Sequence, residues 1–145
     1  MKLFTIGFTR KSAHEFFSKL RRPRIVRLID VRLNNVSQLA GFSKRDDLQF
    51  FCKEILSIEY LHLPELAPTK AMLDEYKKHR GAWMDYEAKF LALMAERKIE
   101  TTIKADQLDG GCLLCSEPTP EHCHRRLVAE YLKAKWGDVE IEHII

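Results

Sequence analysis

Short apolar segments alternate with segments of helical periodicity along the whole chain, and this alternation constrains the fold more than any other feature. Residues 2–6 read as a strand that Gly7 ends. Ser12 and Glu15 have capping-box spacing, which predicts a helix to about Leu20. Pro23 interrupts, and Ile25-Val26-Arg27-Leu28-Ile29-Asp30-Val31 reads as a second, mostly apolar strand. Ser43 is read as the start of another helix, with Phe50, Phe51, Ile55 and Leu56 on its buried face. Residues 58–63 form a third strand, stopped by Pro64, and two helices broken near Gly81 occupy residues 69–97. Residues 99–109 fit either a short helix or a loop. Gly110-Gly111 leads into Cys112-Leu113-Leu114-Cys115, a fourth strand. Pro120 suits a first helical turn with Thr119 as its cap, and that helix runs to about Trp136, where Gly137 ends it. Residues 139–144 make the last strand. Such alternation predicts an α/β fold: a mainly parallel sheet of about five strands flanked by helices on both faces. A chain of 145 residues fits one domain, residues 1–145.

Composition narrows the function classes. No apolar stretch approaches the roughly 18 residues of a membrane-spanning helix, so no membrane partner is expected. The N-terminal apolar run is broken too soon by Gly7 for a signal peptide, and the expected compartment is cytoplasmic. Cys52, Cys112, Cys115 and Cys123 are then reduced thiols, suited to packing, metal binding or reactivity and not to a disulfide frame. The net charge of +3 is mild. Part of it is local: Lys19, Arg21, Arg22, Arg24 and Arg27 could contact the phosphate backbone of a nucleic acid. No aromatic residues interleave with them for base stacking, so a solvated helix end and loop is the favoured account of them. There is no Walker-type phosphate loop, and Gly7 alone is too weak a signal for a dinucleotide site. No cofactor is expected.

Ligands of open α/β sheets bind beyond the carboxyl ends of the strands. Here those ends carry Thr5, Gly7 and Thr9, then Asp30 and Arg32, then His62 and Glu65, then Cys115 and Glu117. These polar and reactive groups are expected to converge on one crevice. Asp30 and Arg32, two apart in an extended segment, share a face.

The segments Thr5-Ile6-Gly7, Asp30-Val31-Arg32 with Gly41-Phe42-Ser43-Lys44, His62-Leu63-Pro64, and Leu113-Leu114-Cys115-Ser116-Glu117 followed by Cys123-His124-Arg125 resemble the family called domain of unknown function 488. The resemblance covers nearly the whole chain in order, and its last motif is the most specific. The first motif of that family continues with His and Ser, where this chain has Phe8 and Thr9. The resemblance implies the α/β fold and the place of the site. It implies no reaction, because the family's activity is not established.

The motif from Cys115 to Arg125 carries the chemistry. Cys123 is expected in the first turn of a helix, where free N–H groups, the dipole, His124 and Arg125 favour a thiolate; Cys115, at a strand end, is favoured less. Both thiols equally fit simple packing, since Cys123, Leu127 and Tyr131 have core-face spacing. A zinc site is disfavoured, because Cys112 and Cys115 alternate across a strand and Cys123 and His124 diverge on a helix. Glu117 can serve as acid or base, or orient Arg125. Arg125 opposes the dipole of its helix, so it is expected to have a partner: the carboxylate of Asp30 or Glu117, or a bound anion. Trp83, Tyr86 and Phe90 have the spacing of a packed helix face and could also wall a ligand. The leading expectation is a site for a small anionic or phosphorylated molecule, nucleotides included. In it Thr5, Gly7, Asp30, Arg32, His124 and Arg125 contribute to binding, and Cys115, Glu117 and Cys123 to chemistry. The alternative is a non-enzymatic module, associated with nucleic acid or regulated through its thiols.

Overall fold

Five strands form one all-parallel sheet in the computed structural model, which describes residues 1–36 and 41–145. They are β1 (Lys2–Gly7), β2 (Arg27–Asp30), β3 (Glu59–His62), β4 (Gly111–Cys115) and β5 (Glu140–His143), in the order β3-β2-β4-β1-β5. The two most apolar strands, β1 and β4, lie side by side at the centre, and every residue of both is buried. The edge strands β3 and β5 are partly exposed, in keeping with their alternating polar residues. This is the sheet expected from the alternating pattern.

Parallel neighbours need crossovers, and helices supply them. Among the described residues these are α1 (Ala13–Leu20), α2 (Arg45–Phe51), α3 (Lys70–Lys77), α4 (Trp83–Arg97), α5 (Ile99–Thr102), α6 (Ala105–Leu108) and α7 (His124–Trp136). The pleat divides the core in two. Phe4, Ile6, Leu28, Cys112 and Leu114 pack under Phe16, Phe17 and Leu20 of α1 and Leu48 of α2. Leu3, Ile29 and Leu113 pack on the other face under Phe90 and Met94 of α4 and Leu127, Val128 and Leu132 of α7. No helix among the described residues is long and apolar enough to cross a membrane.

Local signals explain most boundaries. Ser12 Oγ accepts the Glu15 N–H at 3.1 Å and starts α1, and Thr69 Oγ1 accepts the Met72 N–H at 3.2 Å and starts α3. Gly137, at φ 84°, supplies the positive φ that ends α7. The ambiguous stretch before β4 forms two single-turn helices, α5 and α6.

Two expectations need correction. Ser43 does not start α2: it closes a 3-10 turn (Gly41–Ser43), its carbonyl engaged by Arg32, and α2 follows Lys44. The helix then widens into a π turn, Cys52–Leu56. Leu48 and Cys52, four residues apart, face the core, and Phe51 and Leu56 pack against it as expected, while Phe50 is 59% exposed and Ile55 is also exposed. The second correction concerns α7, which begins at His124, not near Pro120. Residues 116–122 are used in crossing the sheet edge, and the Pro120 carbonyl accepts the Cys123 N–H in a turn at 3.3 Å. Cys123 is thus the N-cap, with extended backbone at φ −138° and ψ 138°.

Candidate functional site

A pocket of about 150 Å³ opens at the carboxyl edge of the sheet. Its floor holds Arg32, Cys115, Glu117, Cys123 and His124, and one wall holds Tyr76, Trp83, Tyr86 and His122. The wall is a run of rings: Trp83 stacks on Tyr86 at 5.2 Å and on His122 at 4.9 Å. The helix face of Trp83 and Tyr86 thus both packs and lines a cavity. Phe90, one turn deeper, is wholly buried and touches the ring of His124.

Arg32 is anchored before it reaches the pocket. Its Nε and Nη2 each donate to an oxygen of Asp30 at 2.8 Å, and Nη2 also donates to the Ser43 carbonyl at 2.7 Å. Tyr60 donates its hydroxyl to Asp30 at 2.5 Å, and Asn35 adds a longer contact at 3.4 Å. Burial alone would raise the Asp30 carboxyl, but the hydrogen bonds and charge of Arg32, with the Tyr60 hydroxyl, hold it below the usual range. Phe8 lies under this guanidinium, 5.3 Å from ring centroid to Cζ. Thr9 anchors the next loop, its N–H donating to the Ser116 carbonyl at 3.0 Å. His62 Nε2 lies 2.9 Å from the Arg32 carbonyl and so fixes the backbone of Arg32. It does not line the pocket. Arg32 Nη1 has no hydrogen-bond partner among the described residues.

Cys115 ends β4 at 6% exposure and borders the pocket. The neighbouring Cys123 thiol is the largest influence on its sulfur. Burial opposes ionisation, but the Ser116 N–H and hydroxyl and the charge of Arg125 add to the Cys123 contact, and Cys115 falls below the ordinary thiol range. Cys123 moves the other way: burial pushes it well up, and the neighbouring Cys115 pushes it further. The sequence-based ranking of the two thiols is therefore reversed. Cys123, although the N-cap residue, makes no side-chain hydrogen bond to the free N–H groups of α7 and is deeply buried, while Cys115 collects four favourable groups. His124 Nε2 sits 2.7 Å from the Val31 carbonyl and can only donate to it, which leaves Nδ1 bare at 3.6 Å from Cys115 Sγ. That nitrogen can accept the Cys115 proton.

Arg125 is fully buried and differs from Arg32 in its partners. Its Nη1 donates to the Glu117 carbonyl at 2.7 Å, while Nε and Nη2 have no hydrogen-bond partner among the described residues. Neither expected ion pair forms: Asp30 pairs with Arg32, and the Glu117 carboxylate pairs with Lys77 at 2.6 Å. Glu117 nevertheless borders the pocket. Arg125 does not line it, and instead pins residues 116–122 against the end of β1. Gly7 permits this approach, since a Cβ there would lie 1.7 Å from the Glu117 carbonyl oxygen and 3.1 Å from Arg125 Nη1. Thr5 lies on the same face, its hydroxyl bonded to His143 Nδ1 at 2.7 Å, away from the pocket.

Cys115, Cys123 and His124 place a donor atom each within 4.8 Å of one another. The expected divergence of Cys123 and His124 fails, because Cys123 is extended and not helical. Their spacing admits a soft ion, but the charge of Arg125 acts on both sulfurs and that of Arg32 on Cys115, and both oppose a dication. Cys112 takes no part: it faces the other core, as strand alternation requires.

The basic residues Lys19, Arg21, Arg22, Arg24 and Arg27 lie at the opposite, amino end of the sheet, where α1 returns to β2. Arg22 pairs with Glu142 and Arg27 with Glu59. The sequence reading missed Tyr60, Asn35, Lys77 and His122. Tyr60 had a signal, standing two residues before His62 and so on the same strand face. Lys77 and His122 had none, since only the chain path brings them to Glu117 and Trp83.

The family model described as Domain of unknown function DUF488 matches residues 12–132. No curated protein and no solved structure matches the chain.

Proposed function

For a chain that belongs to the family described as domain of unknown function DUF488, we propose that the pocket at the carboxyl edge of the sheet binds a small anionic molecule and presents Cys115 to it as a thiolate nucleophile. One observation carries the reading: Cys115 Sγ, at the pocket floor, is held below the ordinary thiol range by donors and by a buried arginine that makes no ion pair among the described residues. His124 Nδ1 receives the thiol proton. Arg32 borders the same space with one nitrogen that has no partner among the described residues, and attracts the anionic end of the ligand. Glu117 supplies the acid or base when Lys77 releases it. Arg125 acts through the loop it pins and through its charge, not by touching the ligand.

Pocket size sets the ligand class. About 150 Å³ is below the roughly 300–1,000 Å³ of pockets that enclose drug-sized ligands. A ligand of few atoms fits, or the phosphate end of a nucleotide whose base remains outside against Trp83 and His122.

Alkylation tests this directly, because iodoacetate is an anion and iodoacetamide is its neutral counterpart. Thiolate sulfur forms a bond to the methylene carbon and iodide leaves. Cys115 is expected to react with both reagents well below the pH at which a free thiol does, and to favour iodoacetate more than a model thiol does. A profile like that of a free thiol, with no preference for the anion, would remove the proposal. The alternative of a nucleic-acid module rests on the basic residues at the opposite end. Its mark would be an affinity that falls steeply with salt.

A further inference from the structure

We infer that Cys115 and Cys123 are an oxidisable pair that reduces a hydroperoxide and closes a disulfide between the end of β4 and the start of α7. The inference rests on the reading of Cys115 as the reactive thiol and adds to it a partner and a second reaction.

The geometry is that of an attacking and a resolving thiol. The two sulfurs lie within 4.8 Å of each other, and both residues border the same pocket. Cys115 ends a fixed central strand, while Cys123 closes the loop of residues 116–122 in an extended conformation ahead of the first helical turn. The sulfurs can therefore close to bonding distance by a change in the loop and the Cys123 side chain, without unwinding α7. The other two thiols, Cys52 and Cys112, lie in the core on the far face of the sheet and away from this pocket, and burial pushes Cys52 up to about 12.

The steps balance with hydrogen peroxide as oxidant. The Cys115 thiolate attacks one peroxide oxygen; the O–O bond breaks, the other oxygen leaves as hydroxide, and Cys115 becomes a sulfenic acid. The hydroxide takes a proton and becomes water. The Cys123 thiol then loses its proton, its sulfur attacks the Cys115 sulfur, and the sulfenic oxygen leaves as a second water. Two electrons pass from the two sulfurs to the peroxide, and an external dithiol restores both thiols. Cys123 is made more nucleophilic by the first step itself. Part of what opposes its ionisation is the negative charge of the neighbouring Cys115, and this ends when Cys115 is oxidised. Arg125 and His124, which favour the anion at Cys123, remain.

The test is peroxide titration of the reduced full chain with peptide mass analysis. Of the four free thiols, two should disappear together, with a mass loss of two hydrogens and one cross-linked peptide pair joining Cys115 to Cys123. Dithiothreitol should reverse it. In Cys123→Ser, dimedone should trap a sulfenic acid at Cys115, and excess peroxide should carry that residue on to the sulfinic acid. Cys115 should oxidise at least about tenfold faster than Cys112, as thiolate character and access dictate. Oxidation of Cys115 in the native chain straight to sulfinic acid, with no cross-link, would overturn the pair. If iodoacetamide still alkylates Cys115 rapidly, the proposed function survives that result. Sluggish alkylation together with absent oxidation would remove both.

Discussion

Two buried arginines flank the carboxyl edge of the sheet, and their charges are met in opposite ways. Arg32 has a bidentate carboxylate, a backbone carbonyl and an aromatic ring beneath it. Arg125 is just as buried but has one carbonyl and, among the described residues, two nitrogens without partners. The first pair is electrically closed: Asp30 cancels Arg32, and the pair holds β2 to the turn that follows. The second is open, so its positive charge acts on its surroundings. Cys115 is a group that this field brings toward ionisation. A buried cation can thus either complete a structure or tune a neighbour, and what separates the two is the presence of a carboxylate.

The largest expected effect breaks the closed side. Asp30→Asn leaves Arg32 buried without its counter-charge, and should destabilise by about 3–5 kcal/mol in denaturant unfolding. The same pair predicts a pH dependence. The folded pKa of Asp30 is lowered, so its contribution is full above the unfolded value of about 3.9 and is lost as pH falls through the folded value. Acid should therefore destabilise the native chain more than it does Asp30→Asn. Equal acid sensitivity of the two would show that the pair is not coupled to folding.

A somewhat smaller effect breaks the packing that keeps the open side in place. Gly7→Ala puts a methyl where the Glu117 carbonyl stands, and backbone must move to admit it. Overpacking of this kind costs about 1–3 kcal/mol, occasionally more. Because Arg125 is held by that carbonyl, Cys115 alkylation should slow as well. A destabilised variant that alkylates at the native rate would separate Gly7 from the thiol.

Next comes the open arginine. Arg125→Met removes a charge with no ion-pair partner among the described residues, and leaves one carbonyl unmet, a loss of about 1–3 kcal/mol. This should be less than for Asp30→Asn. The charge effect appears elsewhere: the pH profile of Cys115 alkylation should move upward, by about one unit if Arg125 contributes roughly 1.4 kcal/mol to the thiolate. A larger loss of stability than in Asp30→Asn, with the alkylation profile unmoved, would make Arg125 the structural residue and erase the contrast with Arg32.

The sheet was legible in the sequence because β1 and β4 are buried on both faces and so read as near-continuous apolar runs. The place of the site was legible for a related reason, since a parallel sheet collects its strand ends on one edge. What was not legible depends on chain path. In α2 the buried positions are Leu48 and Cys52, four apart, and the exposed Phe50 between them has no marker in the local pattern that sets it apart from Phe51. The start of α7 slides past a good cap and a well-placed proline, because residues 116–122 are needed to bring Glu117 to Gly7. The order of the two thiols could not be read from helix position. It is set by the groups around each sulfur, and that is a property of three-dimensional neighbours.

The smallest expected effect tests whether the pocket rim belongs to the open side at all. Lys77 and Glu117 form an ion pair at 2.6 Å, yet their side chains are 48% and 38% exposed. Solvent screens such a pair, and exposed pairs contribute about 0–1 kcal/mol. Lys77→Met should therefore leave the unfolding midpoint nearly unchanged. Its consequence is local: the Glu117 carboxylate loses its cation beside a pocket meant for an anion, and the rim becomes more negative. Alkylation by iodoacetate should slow relative to iodoacetamide, with the neutral reagent little affected, and the gap between them should narrow as salt is added. If both reagents slow equally, Lys77 shapes access and not charge. If neither changes, selection of the anion belongs to Arg32 alone, which lines the pocket, and the Lys77–Glu117 pair takes no part in it.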